Sequence, residues 1–485
     1  MAAAELANLD ATAQAALVAS GEISARELVD AAIDRIERLN PALNCVIFPR
    51  YERARAEAAA IRPGASAPFA GAPFLMKDLI QTVAGEPFSW GWKPFKDAAM
   101  TARTTSYVAA KFRAAGLISL GQTTVPEWGV SLSTETAAWG ATHNPWKHGH
   151  ASGGSSGGAA AAVAARLVPI AHANDAGGSI RIPAAFCGLV GLKPSRGRTS
   201  LGPAHADFWH GLCEEGVVAR SVRDTAAALD AVSGYMPGDP WMAPPPTRPF
   251  AATFSDPPEK LRIGLMEHAP RFHPGLDADA AAAVAKAGLL MESLGHRVEA
   301  NHPSALDDSR INSAFGRVVA AGEARQAATA AEMLGRPLTA DDFDPWTWFL
   351  IERGRRVSAP DYLAACDWFN EFSRAAANWF AEGGFDLLVT PTTPAPAPPH
   401  GHFKVGANEK PGPAGARLNQ MSVFTVPWNI AGLPAISLPL HMTAEGLPIG
   451  VQFVARYGRE DLLLKVAAQL EAASPWSSLR PSIYA

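Results

Sequence analysis

Apolar residues recur with two different periods along the first quarter of the chain. In "ISARELVDAAIDRIERLNP" (23–41), Leu28, Ala32, Ile36 and Leu39 return at helical spacing. Ser24 and Glu27 form a Ser-x-x-Glu capping box ahead of them, and Pro41 is expected to close the helix. "APFLMKDLI" (72–80) is instead a short, unbroken apolar run with a charged end. It predicts a buried strand that delivers Lys77 and Asp78 to one edge of a sheet. "TSYVAAKFRAAG" predicts a helix stopped by Gly116, and "LISLG" the next strand. Helices alternating with short apolar strands predict an α/β sheet with helices on both faces.

A proline-rich stretch, "MPGDPWMAPPPTRP" (236–249), interrupts this alternation. Beyond it, "LRIGLME" and "HRVEA" predict strands, and "DADAAAAVAKAGLLMESLG" a helix with Gly295 as its C-cap. Both sides share one architecture, so the stretch reads as an insertion point within a single domain, 1–485. Residues 311–380 predict mainly helix. Their "DPWTWFLIE" and "CDWFNEF" supply rings either to a pocket or to ordinary helix packing.

Composition narrows the function classes. With 485 residues, 48% of them hydrophobic, the chain can bury a sizeable core. A net charge of −4 gives no electrostatic reason to expect nucleic acid or an anionic membrane as partner. Cys45, Cys187, Cys213 and Cys366 form no C-x-x-C pair and are expected to be reduced, buried thiols. "MAAAELANLD" has neither a basic n-region nor an apolar h-region, and Arg166 breaks the apolar run "AAAAVAARLVPIAHA". The expectation is a soluble, cytoplasmic protein.

Two glycine–serine segments carry candidate chemistry. "GGSSGG" opens an alanine-rich run, as a phosphate-binding loop would, but without a Gly-Lys-Ser/Thr ending or G-x-G-x-x-G. Gly153, Ser155 and Gly157 formally match the G-x-S-x-G nucleophile elbow. That motif needs a strand directly before it and a histidine base. "THNPWKHGH" does not read as a strand, while 13 histidines leave a base available. In "NDAGGSIRIP" (174–183), a serine follows two glycines, whose exposed N–H groups suit a developing oxyanion.

Taken together, "LMKDLI", "GGSSGGAAAAVAARLVPIAHANDAGGSIRIPAAFCGLVGLKPSRGR", "FTVPWNIAGLPAISLPL" and "GLPIGVQFVARYGREDLLLKVAAQLE" resemble the amidase signature family. The likeness covers nearly the whole chain. It is densest over about 72–225 and weakest over the mainly helical, variable region at about 240–420. It implies a large mixed β-sheet core sandwiched between α-helices. It also implies Ser179 as nucleophile, Ser155 as a second serine held by a cis peptide bond, and Lys77 as base. Two departures stand out: "WKHGHA" precedes the first glycine pair, and Asn174 stands where threonine or serine is common. Within the family, "TETAAWGATHNPW" and "GREDLLLKVAAQLE" are most similar to hydrolases of the 6-aminohexanoate cyclic dimer, a nylon by-product.

The implied chemistry makes physical demands. A serine hydroxyl is a weak nucleophile without a base. A lysine with the ordinary pKa of ~10.4 is protonated at neutral pH, and burial disfavours that charge. Lowering it to near neutrality costs about 3–5 kcal/mol. A nearby Asp78 or Asp175 would oppose the shift. The N–H groups of Ala176, Gly177, Gly178 and Ser179 are the expected oxyanion donors. Ser156, Asp175 and Arg181 are expected to support the loop, the last two as an ion pair. Trp128, in "PEWGVSLSTE", is a candidate substrate contact, with Trp346, Trp348 and Phe349 behind it. The expected partner is a small amide or carbamate, with no metal or organic cofactor, and a homodimer is one option. The competing reading is the glutamine-hydrolysing member of a tRNA-dependent amidotransferase complex.

Overall fold

The computed structural model describes residues 3–485. Its centre is an eleven-stranded mixed sheet. The strands of the first half are β1 (Val46–Ile47), β2 (Pro73–Lys77), β3 (Ile118–Thr123), the small hairpin β4 (Glu135–Thr136) and β5 (Gly140–Ala141), β6 (Ile170–Asp175), β7 (Val190–Lys193) and β8 (Glu214–Ala219). Those of the second half are β9 (Arg262–Leu265), β10 (Arg297–Ala300), β11 (Leu387–Pro391), β12 (Ala435–Met442) and β13 (Pro448–Ala455). The main sheet runs β1-β3-β2-β6-β8-β7-β12-β13-β11-β9-β10. Strands from both sides of the proline-rich stretch 236–249 therefore share one sheet.

The interior strands are buried along their whole length; β2 and β13 are mainly apolar, as burial on both faces demands, while β6 and β8 also bury His172, Asn174, Asp175, Glu214 and Glu215. One core cluster joins the helix Ala25–Leu43 to the fully buried helix Gly157–Ala164. Another lies under the helices Ala278–Ser293 and Glu460–Ala473. The long helices Arg310–Leu334 and Ala359–Ala381 pack around a third, aromatic-rich cluster.

The Ser24–Glu27 capping box forms as predicted. Pro41 does not close that helix, which continues to Leu43. Only the last turn follows the proline, and Asn44, left-handed at φ 51°, caps it by donating its N–H to the Asn40 carbonyl at 2.7 Å. Gly295 lies just past the helix Ala278–Ser293, after Leu294, at φ 92°. All four cysteines are free and buried. Among the described residues, no helix is long and apolar enough to cross a membrane.

Two parallel neighbours set up the site. β2 pairs with β6 through Phe74–Ile170 and Leu75–Ala171. Both strands thus leave the sheet at the same edge, β2 on Lys77 and β6 on Asp175. The carboxyl ends of strands are where open α/β sheets commonly hold their ligands.

Candidate active site

Lys77 ends β2 with its side chain wholly buried. Its Nζ lies 2.8 Å from Ser155 Oγ, 2.8 Å from Ser156 Oγ and 2.6 Å from Asn174 Oδ1. Burial pulls its pKa down to about 7, against the smaller opposing influence of Cys213, Glu215 and Asp175. Asp78 stays out of this environment. It turns to Ser89, taking that residue's hydroxyl and N–H, and burial raises its own pKa to about 6.

A neutral lysine amine has two hydrogens and one lone pair. Asn174 Oδ1 only accepts, because its Nδ2 is committed to the Leu79 carbonyl at 3.2 Å and Glu215 Oε1 at 3.4 Å. Ser156 donates to the Asn174 carbonyl at 3.4 Å, which leaves its oxygen free to accept from Nζ. Both amine hydrogens are then placed, and the lone pair is left for the Ser155 hydroxyl. Behind this group, His172 Nδ1 accepts the Lys77 N–H at 3.2 Å. Its Nε2 therefore carries the proton and donates to Glu215 Oε2 at 2.6 Å.

Ser155 sits in a loop that only glycine permits. A Cβ on Gly154 would come within 2.2 Å of the Ser131 carbonyl oxygen. The Gly154–Ser155 peptide is cis, as the family resemblance implies. Ser156 occupies the N-cap position of the helix Gly157–Ala164 without capping it, because its hydroxyl faces Lys77 instead. No strand directly precedes this loop, so the nucleophile-elbow geometry is absent.

Ser179 follows β6 in the loop before the helix Arg181–Cys187 and is 8% exposed. Ser155, Ser179, Ala176 and Gly177 line one cleft of about 920 Å³, counted out to its open mouth. Beneath the loop, Asp175 and Arg181 are wholly buried and pair at 2.9 Å through both oxygens. Burial alone would raise the Asp175 pKa. The Arg181 charge and hydrogen bonds, with help from Asn429, hold it well below the ordinary carboxylate range. Arg181 also reaches Gln452 Oε1, Asn429 Oδ1 and the Thr425 carbonyl.

One expectation about the oxyanion donors changes. The Gly178 N–H donates to Asp175 Oδ1 at 2.7 Å, so it is committed to the loop. The same carboxylate takes the N–H of Ile180, and an N–H held by this buried anion is not free to donate to a second one. Gly178 keeps a steric role, since a Cβ there would lie 2.5 Å from Thr425 Oγ1 and its φ is 132°. Ala176, Gly177 and Ser179 remain as candidate donors.

Trp128 stands in the cleft wall, 1% exposed, with its ring edge-on to Trp92 and Phe343. Its indole N–H has no hydrogen-bond partner among the described residues. Trp346 also lines the cleft, while Phe349 stacks behind it and Trp348 packs on Phe343. The sequence reading missed the opposite wall. Asn312, Phe315, Gly316 and Val319 present one face of the helix Arg310–Leu334 to the cleft. Their helical spacing was the available signal.

Comparison with known proteins agrees with this architecture. The amidase family model matches residues 27–464. The 6-aminohexanoate-cyclic-dimer hydrolase of Paenarthrobacter ureafaciens is 45% identical over 480 residues, covering 98% of this chain and 96% of that protein. A solved structure of 6-aminohexanoate cyclic dimer hydrolase with its substrate superposes with a TM-score of 0.95 at 44% identity, covering 99% of this chain and 100% of that one. A bacterial aryl acylamidase superposes with a TM-score of 0.86 at 28% identity, covering 98% and 97%. Matched along nearly all its length in both sequence and fold, this chain belongs to the amidase signature family of hydrolases that act on amide bonds.

Proposed function

We propose that this protein cleaves C–N bonds of small, apolar or oligomeric amides through an acyl-enzyme on Ser179, with Ser155 and Lys77 as its proton relay. The observation that carries the reading is the wholly buried Lys77, poised near neutrality, with Nζ 2.8 Å from Ser155 Oγ at the floor of the cleft that Ser179 lines. Neutral Lys77 accepts a proton from Ser155, which accepts one from Ser179 as Ser179 Oγ attacks the carbonyl carbon. The N–H groups of Ala176 and Gly177 face the developing oxyanion. Collapse breaks the C–N bond, and the relay returns the proton to the departing amine. Water then attacks the acyl-enzyme by the same path and frees the acid. Carbamates carry the same acyl carbon beside nitrogen, so a urethane would pass through an alkoxycarbonyl- or carbamoyl-enzyme.

The similar hydrolases make 6-aminohexanoate cyclic dimer the first substrate to test. Amine release from this dimer, a nitroanilide and an aryl carbamate is followed for wild type, Ser179→Ala, Ser155→Ala and Lys77→Met. Removing a member of such a relay lowers kcat by about 10³-fold or more. Full activity in Ser179→Ala would remove it from the nucleophile's role. Turnover of the dimer but not of the carbamate would confine the enzyme to amides.

A further inference from the structure

The cleft is uncharged except at one point. Among the described residues, Arg353 is the one charged side chain on its lining. It sits in the last turn of the helix Pro345–Gly354 and is exposed. Its guanidinium lies against Gly316 of the neighbouring helix Arg310–Leu334, 3.4 Å from where a Cβ on that glycine would stand. The next two arginines are engaged: Arg355 and Arg356 both reach Glu352, and Arg355 also covers the ring of Trp348. Among the described residues, the Arg353 guanidinium has no carboxylate or other hydrogen-bond partner.

We propose that Arg353 is a carboxylate-recognition site at the mouth of the cleft, selecting amide substrates that carry a free carboxylate away from the scissile bond. This deepens the amide-hydrolase reading above and rests on it. A guanidinium presents paired donors that match a carboxylate. Apolar walls such as Phe315, Val319 and Leu350 raise the strength of that pair above its value in open water. The same fixed charge opposes a substrate ending in an ammonium group. Asn312, one turn before Gly316, lines the same wall and adds a neutral amide donor. The carboxylate can belong to the leaving half, as in an N-acyl ω-amino acid, or to the acyl half, as in a monoamide of a dicarboxylic acid.

The test uses two matched pairs: N-hexanoyl-6-aminohexanoate against N-hexanoyl-6-aminohexanol, and adipic acid monoanilide against hexanoic acid anilide. In wild type, the carboxylate member of at least one pair has about a tenfold higher kcat/KM than its neutral counterpart. In Arg353→Gln that ratio falls to near one, and Arg353→Lys keeps part of it. The pair that responds identifies the half that bears the carboxylate. Equal ratios in wild type and Arg353→Gln for both pairs would overturn the proposal. A lowered Tm with unchanged ratios would leave Arg353 only as a partner of the helix C-terminus. Calorimetric titration with hexanoate gives a readout independent of turnover. Arg353→Gln should bind it about tenfold more weakly than wild type, and equal binding also overturns the site. Should no substrate turn over in wild type while hexanoate still distinguishes the two proteins, the hydrolase reading fails and the carboxylate site stands.

Discussion

At the scale of single residues, the chemistry depends on how Lys77 is denied its charge. Burial supplies that, and the three nearest oxygens, with the Asn174 carbonyl further off at 3.4 Å, decide where the lone pair points. A base must be deprotonated to act, so kcat/KM should rise with pH through about 7. Below that point it should fall about tenfold per pH unit, as the reactive fraction does. Asn174 makes this limb adjustable. Asn174→Asp would set a carboxylate against Nζ, where the amide oxygen now lies at 2.6 Å. An opposite charge at that distance favours the ammonium form by about 1–3 pKa units. The acid limb should move upward by that amount, with the alkaline plateau largely retained. A pH–rate profile of the variant with its limb still near 7 would mean that Nζ does not lie against residue 174 during catalysis.

At the scale of elements, the loop after β6 is held from below. Asp175 binds Arg181 through two oxygens and also takes the N–H groups of Gly178 and Ile180 and the Asn429 amide. Removing one partner of a buried pair strands the other charge, at a cost of about 3–5 kcal/mol. Arg181→Met should therefore lower unfolding stability by that amount, and lower activity further because the loop carrying Ser179 loses its anchor. Denaturant titration alongside amide turnover checks both, and a variant as stable as wild type would show the pair to be dispensable. Much of this framework is legible in the sequence. The apolar run 72–80 delivers Lys77 to the end of β2, and the two glycine–serine segments mark the loops of Ser155 and Ser179. What is not legible is brought in by strand order. Glu215 stands opposite Asn174 only because β8 pairs antiparallel with β6, and no local pattern announces that pairing. Gly178 misleads for a related reason. Its N–H is as well placed in sequence as its neighbours', and only the folded position of Asp175 shows it to be taken. The cleft residues of the helices Arg310–Leu334 and Pro345–Gly354, Arg353 among them, come from the least family-like region, where function depends on which helical face turns inward.

At the scale of the whole molecule, buried ionisable groups tie stability to pH in two opposing ways. Lys77 and Lys193, both pulled down to about 7 by burial, bind fewer protons folded than unfolded between about 7 and 10.5. Their contribution therefore improves as pH rises across that window. Carboxyls raised by burial act in the other direction. Glu127 and Glu214 are both lifted to about 8. Glu323 is lifted well above the ordinary range, by burial first and by the nearby Glu127 second. It lies wholly buried on the helix Arg310–Leu334, one turn beyond Val319 of the cleft wall, and neither oxygen meets a hydrogen-bond partner among the described residues. The folded protein keeps its proton where the unfolded chain would release it. The stability associated with that proton is fully present below the unfolded pKa of ~4.3 and is lost as pH rises toward the folded value. Glu323→Gln replaces the acid with a neutral amide of similar shape and removes the titration. The amide is no better partnered, so the variant carries a desolvation cost that is the same at every pH. Relative to wild type, the variant should gain up to ~1.4 kcal/mol of stability per pH unit as pH rises above the unfolded pKa of ~4.3, until the folded carboxyl itself ionises. The difference in unfolding free energy, measured by urea titration at half-unit steps, should follow that slope. A difference independent of pH would mean that Glu323 is already ionised in the folded protein, with a cation or water reaching it in the interior.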